Sequence, residues 1–337
     1  MAESRGIDST RALWGGIAFS AGFVLLIWGA GLLWLEPGTF ADRKPDIFMW
    51  YLWQLSEPTV WTRASVWIGY LAHQVSIWYL IWRAQTGQLK YSSLLHWENV
   101  AALGVNAFFI TLHLVQTLVW YDGLAQDTPE WTSQTSVTIM LMAILVMENQ
   151  RRGLAFGVKM PLLTEVGRTI RKYHGYYFSW AIIYTFWYHP MEITAGHLFG
   201  FAYMFLLLLQ GSLFFTRMHV NRYWTIVAEV SVVAHAVMVA ILAAEGWPRF
   251  FGGFVGMFVV TQMHGLGLSR RTRWMIGLGY LAVIGTIYAQ TNQLDRIFEP
   301  ALIPIIEFIG VALVTVVTLL LTRLFSAGVA IQKSIKI

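Results

Sequence analysis

Long apolar runs bounded by charges and turn residues dominate this chain, and their length decides what they are. A bilayer core about 30 Å thick takes about 20 mostly apolar helical residues. The runs at 13–35, 66–82, 100–120, 135–147, 176–188, 196–215, 224–244, 251–268, 274–289 and 303–321 reach or approach that length, and flanking Trp and Tyr residues fill the interfacial layer. The pattern predicts an all-α fold: a polytopic integral membrane helix bundle of about ten transmembrane helices, forming a single transmembrane domain over 1–337. The first run is too long, and lacks the small-residue cleavage site, to be a signal peptide.

Two stretches break the pattern. Segment 36–61, with Pro37, Pro45, Pro58 and three tryptophans, reads as an outer loop that rests on the membrane surface, covers a site or meets a partner. Segment 151–172 reads as a basic cytoplasmic loop with a short amphipathic helix beginning after Pro161. Its charge is accounted for by topology, with lipid or partner binding as the alternative. Glycine-rich stretches such as 250–256 and 265–267 fit close helix packing, and no strand–glycine–helix phosphate loop is present.

Composition narrows the chemistry. Of 337 residues, 57% are hydrophobic and only 12% charged, against roughly 25% charged in a soluble domain, which excludes disorder and a water-soluble globule. Cysteine is absent, so disulfides, thiolate metal sites, iron–sulfur clusters and cysteine nucleophiles are excluded. The net charge of +5 comes from short scattered clusters, not the basic stripe of a nucleic-acid binder. With the N-terminus inside, Arg43, Lys44, Arg63, Arg249 and Arg296 fall outside the membrane, and the other eighteen Lys and Arg fall inside. The positive-inside rule therefore predicts both termini cytoplasmic.

Ionisable groups within spans cost about 2.5–3.5 kcal/mol each on insertion scales, so each is a functional candidate facing the bundle interior. They sort into two layers. The outer one holds His113, His189, Glu192, His197 and His235; the inner one holds His73, Asn106, Glu148, His174, His219, Glu229, Gln262 and His264. Glu98 also lies in the inner third of its helix, and His96 reads as a capped helix end. Without cysteine, neutral imidazole is the natural metal ligand.

His174 and His189 lie on one predicted helix, about 22 Å apart along its axis and about 60° apart in rotation. Such a helix offers an axial ligand to each of two stacked haems. His219 and His235 lie at the same two depths one span later, giving an inner pair His174 with His219 and an outer pair His189 with His235. These two are about 160° out of phase on an ideal helix, so a kink or a ligand outside the helix is required. The arrangement, over spans five to seven, resembles the transmembrane core of di-haem b-type cytochromes and ferric-reductase-like membrane proteins. The resemblance implies electron transfer through two b-type haems with bis-histidine ligation. With no flavin or nicotinamide domain in the chain, the donor would be a quinol or a separate redox protein.

Two other readings use the same residues. His113, His189, Glu192, His197 and His235, together with His73 and His264, could supply non-haem iron, copper or zinc, as in an oxygenase or hydroxylase acting on a lipophilic substrate. The inner carboxylates could likewise bridge an iron pair. Yet no two histidines are three or four residues apart, the spacing at which helical ligands converge on one metal. Alternatively, buried groups including Glu148 and Glu229 could form the proton relay of a proton-coupled transporter. The last two apolar runs look nearly featureless, which argues against two related halves. Tyr173, Tyr176, Tyr177, Trp180, Tyr184, Trp187 and Tyr188 crowd the helix carrying His174 and His189, where packing or the lining of a flat macrocycle or isoprenoid chain would use them.

Overall fold

The computed structural model describes residues 6–35, 40, 53–244 and 246–334, with 325–334 given by backbone alone. Most of the expected outer loop lies outside the described residues. The protein is all-helical, 78% helix with no strand among the described residues. Each apolar run of the sequence falls on a helix: α1 (Ser9–Trp34), α2 (Val60–Thr86), α3 (Trp97–Val119), α4 (Glu130–Arg152), α5 (Leu162–Tyr188), α6 (Ala195–Ser212), α7 (Arg222–Val230), α8 (Val232–Leu242), α9 (Trp247–Val260), α10 (Arg270–Gln290) and α11 (Leu302–Ser334).

Local chemistry sets many of the helix starts. Asp8 accepts hydrogen bonds from the Thr10 and Arg11 amides, Asn221 from Tyr223 and Trp224, and Ser269 from Thr272, which satisfies donors that a helix N-terminus leaves orphaned. The basic segment after Pro161 is not a separate short helix. It opens α5, which runs unbroken for 27 residues into the expected fifth span, since the segment contains no proline and its two glycines, Gly167 and Gly175, are tolerated in a helix. The seventh span divides at Ser231 into α7 and α8, though Ser231 keeps helical dihedrals and its amide donates to the Val227 carbonyl, and His219 precedes α7 in a turn.

The chain divides into two compact units: residues 1–137 with 175–245, and residues 138–174 with 246–337. In the first, α2 pairs with α3, and α6 packs against α1, α3 and α8. Gly69 on α2 lies directly under the indole of Trp187, with no room for a Cβ, and Gly16 on α1 meets Leu209 in the same way. In the second, α10 and α11 pack against α9, and the glycines of α9 receive Pro300, Ile303 and Pro304.

Five segments are long and apolar enough to cross a membrane: Ser9–Trp34, Trp97–Val119, Ala195–Ser212, Arg222–Leu242 and Leu294–Leu324. Their surfaces fit an integral membrane protein. On α11, Ile305, Ile309, Leu313, Val316 and Leu320 face outward, whereas Glu307, Gly310 and Thr315 are buried. Apolar outside and polar inside is the arrangement that lipid selects, and apolar exposure on this scale is foreign to a soluble monomer.

Candidate functional site

In the first unit the outer-layer residues of the sequence are drawn together where α5 turns into α6. His113, one turn and a half before the end of α3, places Nε2 2.8 Å from the carbonyl oxygen of His189 and Nδ1 3.0 Å from Gln116 Oε1. Gln116 is held in turn, its amide nitrogen donating to the Tyr121 carbonyl at 2.7 Å. The backbone then adopts left-handed conformations at Tyr121 and Asp122, φ 59° and 64°. Aspartate tolerates that region better than most residues. This turn aims the Tyr121 hydroxyl at Glu192, donating to Oε1 at 2.6 Å, while the Met191 amide donates to Thr117 Oγ1 at 3.0 Å. Glu192 Oε2 also accepts from the Ile193 amide. Burial and the adjacent Glu192 push the Tyr121 phenol well above its usual range.

Beside this network sit three histidines. The rings of His189 and His197 are 5.8 Å apart, edge to face, and Trp53 meets His197 at 5.4 Å. His235, on α8, lies against Gly200 and donates from Nδ1 to the Gly196 carbonyl at 3.1 Å. Nδ1 of His197 pairs with Thr194 Oγ1 at 2.8 Å. Tethering Nδ1 to a carbonyl fixes the tautomer and orients Nε2, the same outer-shell device that positions metal-ligating imidazoles. Burial, followed by the neighbouring imidazoles of His197, His235 and His113, holds His189 well below the ordinary histidine range, so its ring is neutral at pH 7. Among the described residues no group of three or more His, Asp or Glu side chains is arranged to hold a metal ion.

The other candidates are placed differently. His73 is fully buried and stacks on Phe109 at 4.6 Å. Its Nδ1 accepts from Trp187 Nε1 at 3.2 Å, and its Nε2 donates to Asn106 Oδ1 at 2.7 Å. Asn106 Nδ2 passes the chain on to Ser212 Oγ at 2.8 Å, and Ser212 to the Leu208 carbonyl. His73 and His113 thus have both ring nitrogens engaged. His219 forms a reciprocal pair with Gln210, Nδ1 to the Gln210 carbonyl and Gln210 Nε2 to the His219 carbonyl, both at 2.9 Å. His174 belongs to the second unit, where its Nδ1 lies 2.7 Å from the Arg171 carbonyl. In that unit Glu148 is paired with Arg151, and His264 Nδ1 faces Arg273 at 3.0 Å. Glu229, on α7, lies electrostatically close to the buried Tyr203 of α6. The aromatic crowd on α5 is occupied by packing and hydrogen bonds: Trp180 stacks on Tyr184 at 5.6 Å, and the hydroxyls of Tyr177 and Tyr188 donate to the Ser136 and Thr128 carbonyls.

Asp122 carries a pH dependence of its own. It is completely buried and accepts from the Gly123 and Leu55 amides, yet burial outweighs those bonds and raises its pKa from 3.8 to about 6. The folded protein therefore holds a proton that the unfolded chain has released, so Asp122's contribution is most favourable at low pH and is lost as pH rises through that window. Melting temperature in detergent is expected to fall between pH 4 and about 6.5, and Asp122→Asn is expected to flatten that part of the profile. An unchanged slope in the variant would contradict the assignment.

Sequence reading missed Gln116, Tyr121 and Asp122, whose only signal was a Tyr-Asp-Gly turn directly after an apolar run. It also missed Glu307, the buried acid of α11. The chain matches no family model, no curated protein and no solved structure.

Proposed function

We propose that this protein is a membrane oxidoreductase whose redox centre is built on the histidines between α5, α6 and α8. The observation that carries the reading is the gathering of His189, His197 and His235 at one end of the first unit, with Nδ1 of His197 and His235 tethered. A b-type haem is the first form of that centre: His189 and His235 would hold its iron, and the group would supply one-electron transfer. A second, inner haem in this reading would take His219, which lies in the turn before α7 and outside the helix that carries His235. In this reading all ten apolar helical segments cross the membrane with both termini in the cytoplasm.

The electron donor is a quinol or a separate redox protein. A groove of about 310 Å³ supports a lipophilic partner; it lies between α1, α3 and α6, is lined by Gly15, Phe19, Leu103 and Leu209, and has Asn106 in its wall. A non-haem iron or copper centre is the second reading, favoured by the third imidazole, His197, within the same cluster.

Protein purified in detergent is expected to show a Soret band and a reducible α-band, and His189→Ala or His235→Ala to remove the outer haem's share of both. A colourless preparation with stoichiometric iron or copper would replace the haem with a non-haem centre. Absence of both haem and metal would overturn the redox reading.

A further inference from the structure

The second unit contains an acid that the histidine centre does not use. Glu307 lies on α11 at 6% exposure, inside the apolar segment Leu294–Leu324, and its Oε2 is buried without a hydrogen-bond partner. Its surroundings follow from the packing. Pro300 meets Gly252, Ile303 meets Gly253 and Pro304 meets Gly256, so α9 and α11 run parallel with matched register. Three residues past Pro304, Glu307 is level with the last turn of α9, just before the 3-10 turn at 262–265 that carries His264. On its far side Gly310 receives the Met142 side chain of α4.

Among the described residues, none of the elements packed around Glu307 bonds a charge to its Oε2. Between Arg249 and His264, α9 carries no titratable group. From α10 come Tyr280, whose hydroxyl donates to the Gly252 carbonyl, and, at the His264 end, Arg273, whose guanidinium lies 3.0 Å from His264 Nδ1. On α4, Glu148 and Arg151 pair with each other and the buried Arg152 lies against Gly265 in the 262–265 turn; the next charge on α11 is Arg323, four turns away. With none of these bonded to Glu307 Oε2, an ionised carboxylate here would be an unpaired charge at membrane depth, which proteins avoid by pairing or by taking up a proton. Towards the His264 end the polar groups continue, with Thr261 bonded to Gln262 and His264 Nε2 buried without a partner. Unpartnered polar atoms of this kind are the places where buried water completes a hydrogen-bonded path.

We propose that Glu307 is a proton-binding site at membrane depth in the second unit, loading and unloading its proton through the Thr261–His264 end of α9. It gives this unit a proton-translocating step separate from the histidine cluster of the first. The proposal does not depend on a haem or metal being present.

Dicyclohexylcarbodiimide tests it on the full chain in liposomes. The protonated carboxyl adds across the carbodiimide: its oxygen bonds to the central carbon, its proton passes to a nitrogen, and the adduct rearranges to a stable acylurea with no other reactant. Peptide mass spectrometry is expected to find the label on Glu307 and not on ion-paired Glu148, decreasing as pH rises, and absent in Glu307→Gln. Proton entry down an imposed pH gradient, followed with an internal pH-sensitive dye, is expected to be lost on labelling and in the variant. Wild-type Glu307 that stays unlabelled at low pH overturns the site, with or without a folded variant. Label on Glu307 with undiminished proton entry overturns the translocation.

Discussion

Replacing His113 with leucine is expected to produce one of the two largest losses of stability in this protein. The substitution roughly preserves bulk but removes the donor facing the His189 carbonyl and the group facing Gln116 Oε1. Gln116 cannot turn its amide round to compensate, because its nitrogen is committed to the Tyr121 carbonyl. A neutral imidazole carries one N–H and so donates to one of these two acceptors, which the substitution leaves buried without a partner at a cost of about 1–3 kcal/mol. The turn carrying His189 and Glu192 then keeps only the Met191–Thr117 bond of its ties to α3 described above, and melting temperature in detergent should drop accordingly. His113→Gln, which restores an amide donor, is expected to recover part of the loss. The assignment predicts the same drop in protein stripped of any metal or haem; a drop confined to loaded protein would instead make His113 a ligand.

The second large effect runs against helix propensity. Alanine is the better helix former by about 1 kcal/mol, so Gly→Ala inside a helix is ordinarily stabilising. At Gly69 a Cβ would enter the space of the Trp187 ring, which is completely buried and donates its indole N–H to His73. The ring cannot shift without breaking that bond and disturbing Phe109 and His113, which pack around it. Overpacking of this kind costs about 1–3 kcal/mol, and breaking the indole bond adds to it. Gly104, on α3, provides the control, since a Cβ there meets nothing within 4 Å. Gly69→Ala is expected to lower the melting temperature and Gly104→Ala to leave it unchanged or raise it. Equal responses would refute the close approach of α2 to Trp187.

The helices were legible because period and length are local properties. Asp8, Asn221 and Ser269 stand just before apolar segments, where a cap is needed, and the structure uses each as one. The convergence of His189, His197 and His235 was legible only in part: depth follows from counting residues along a span, but which helix faces which does not. The featureless reading of the last run failed for an instructive reason. Within 303–321 a single Glu307 is diluted by apolar neighbours, so hydropathy averaging conceals it, while the fold turns that one position inward. Likewise Asp122 sits in a turn that any sequence reading places near solvent, and only the packing of the turn against residue 55 and the α5 end removes it from water.

By itself the sequence determined that this is an all-helical chain with segments able to cross a membrane, that cysteine chemistry is absent, and which ionisable side chains lie at unusual depth. Those properties depend on composition and on distances along one helix, which rise by about 1.5 Å per residue whatever the neighbours do. Tertiary structure decided which of those side chains are already satisfied and which stand together. His73 and His113 were equivalent to His189 and His235 until hydrogen bonds, all but His113–Gln116 reaching to another segment, occupied both of their ring nitrogens. Rotation and translation of one helix against another are fixed by side-chain packing, such as Trp187 over Gly69 or Pro300 on Gly252, and no pattern within a single helix encodes its partner's phase.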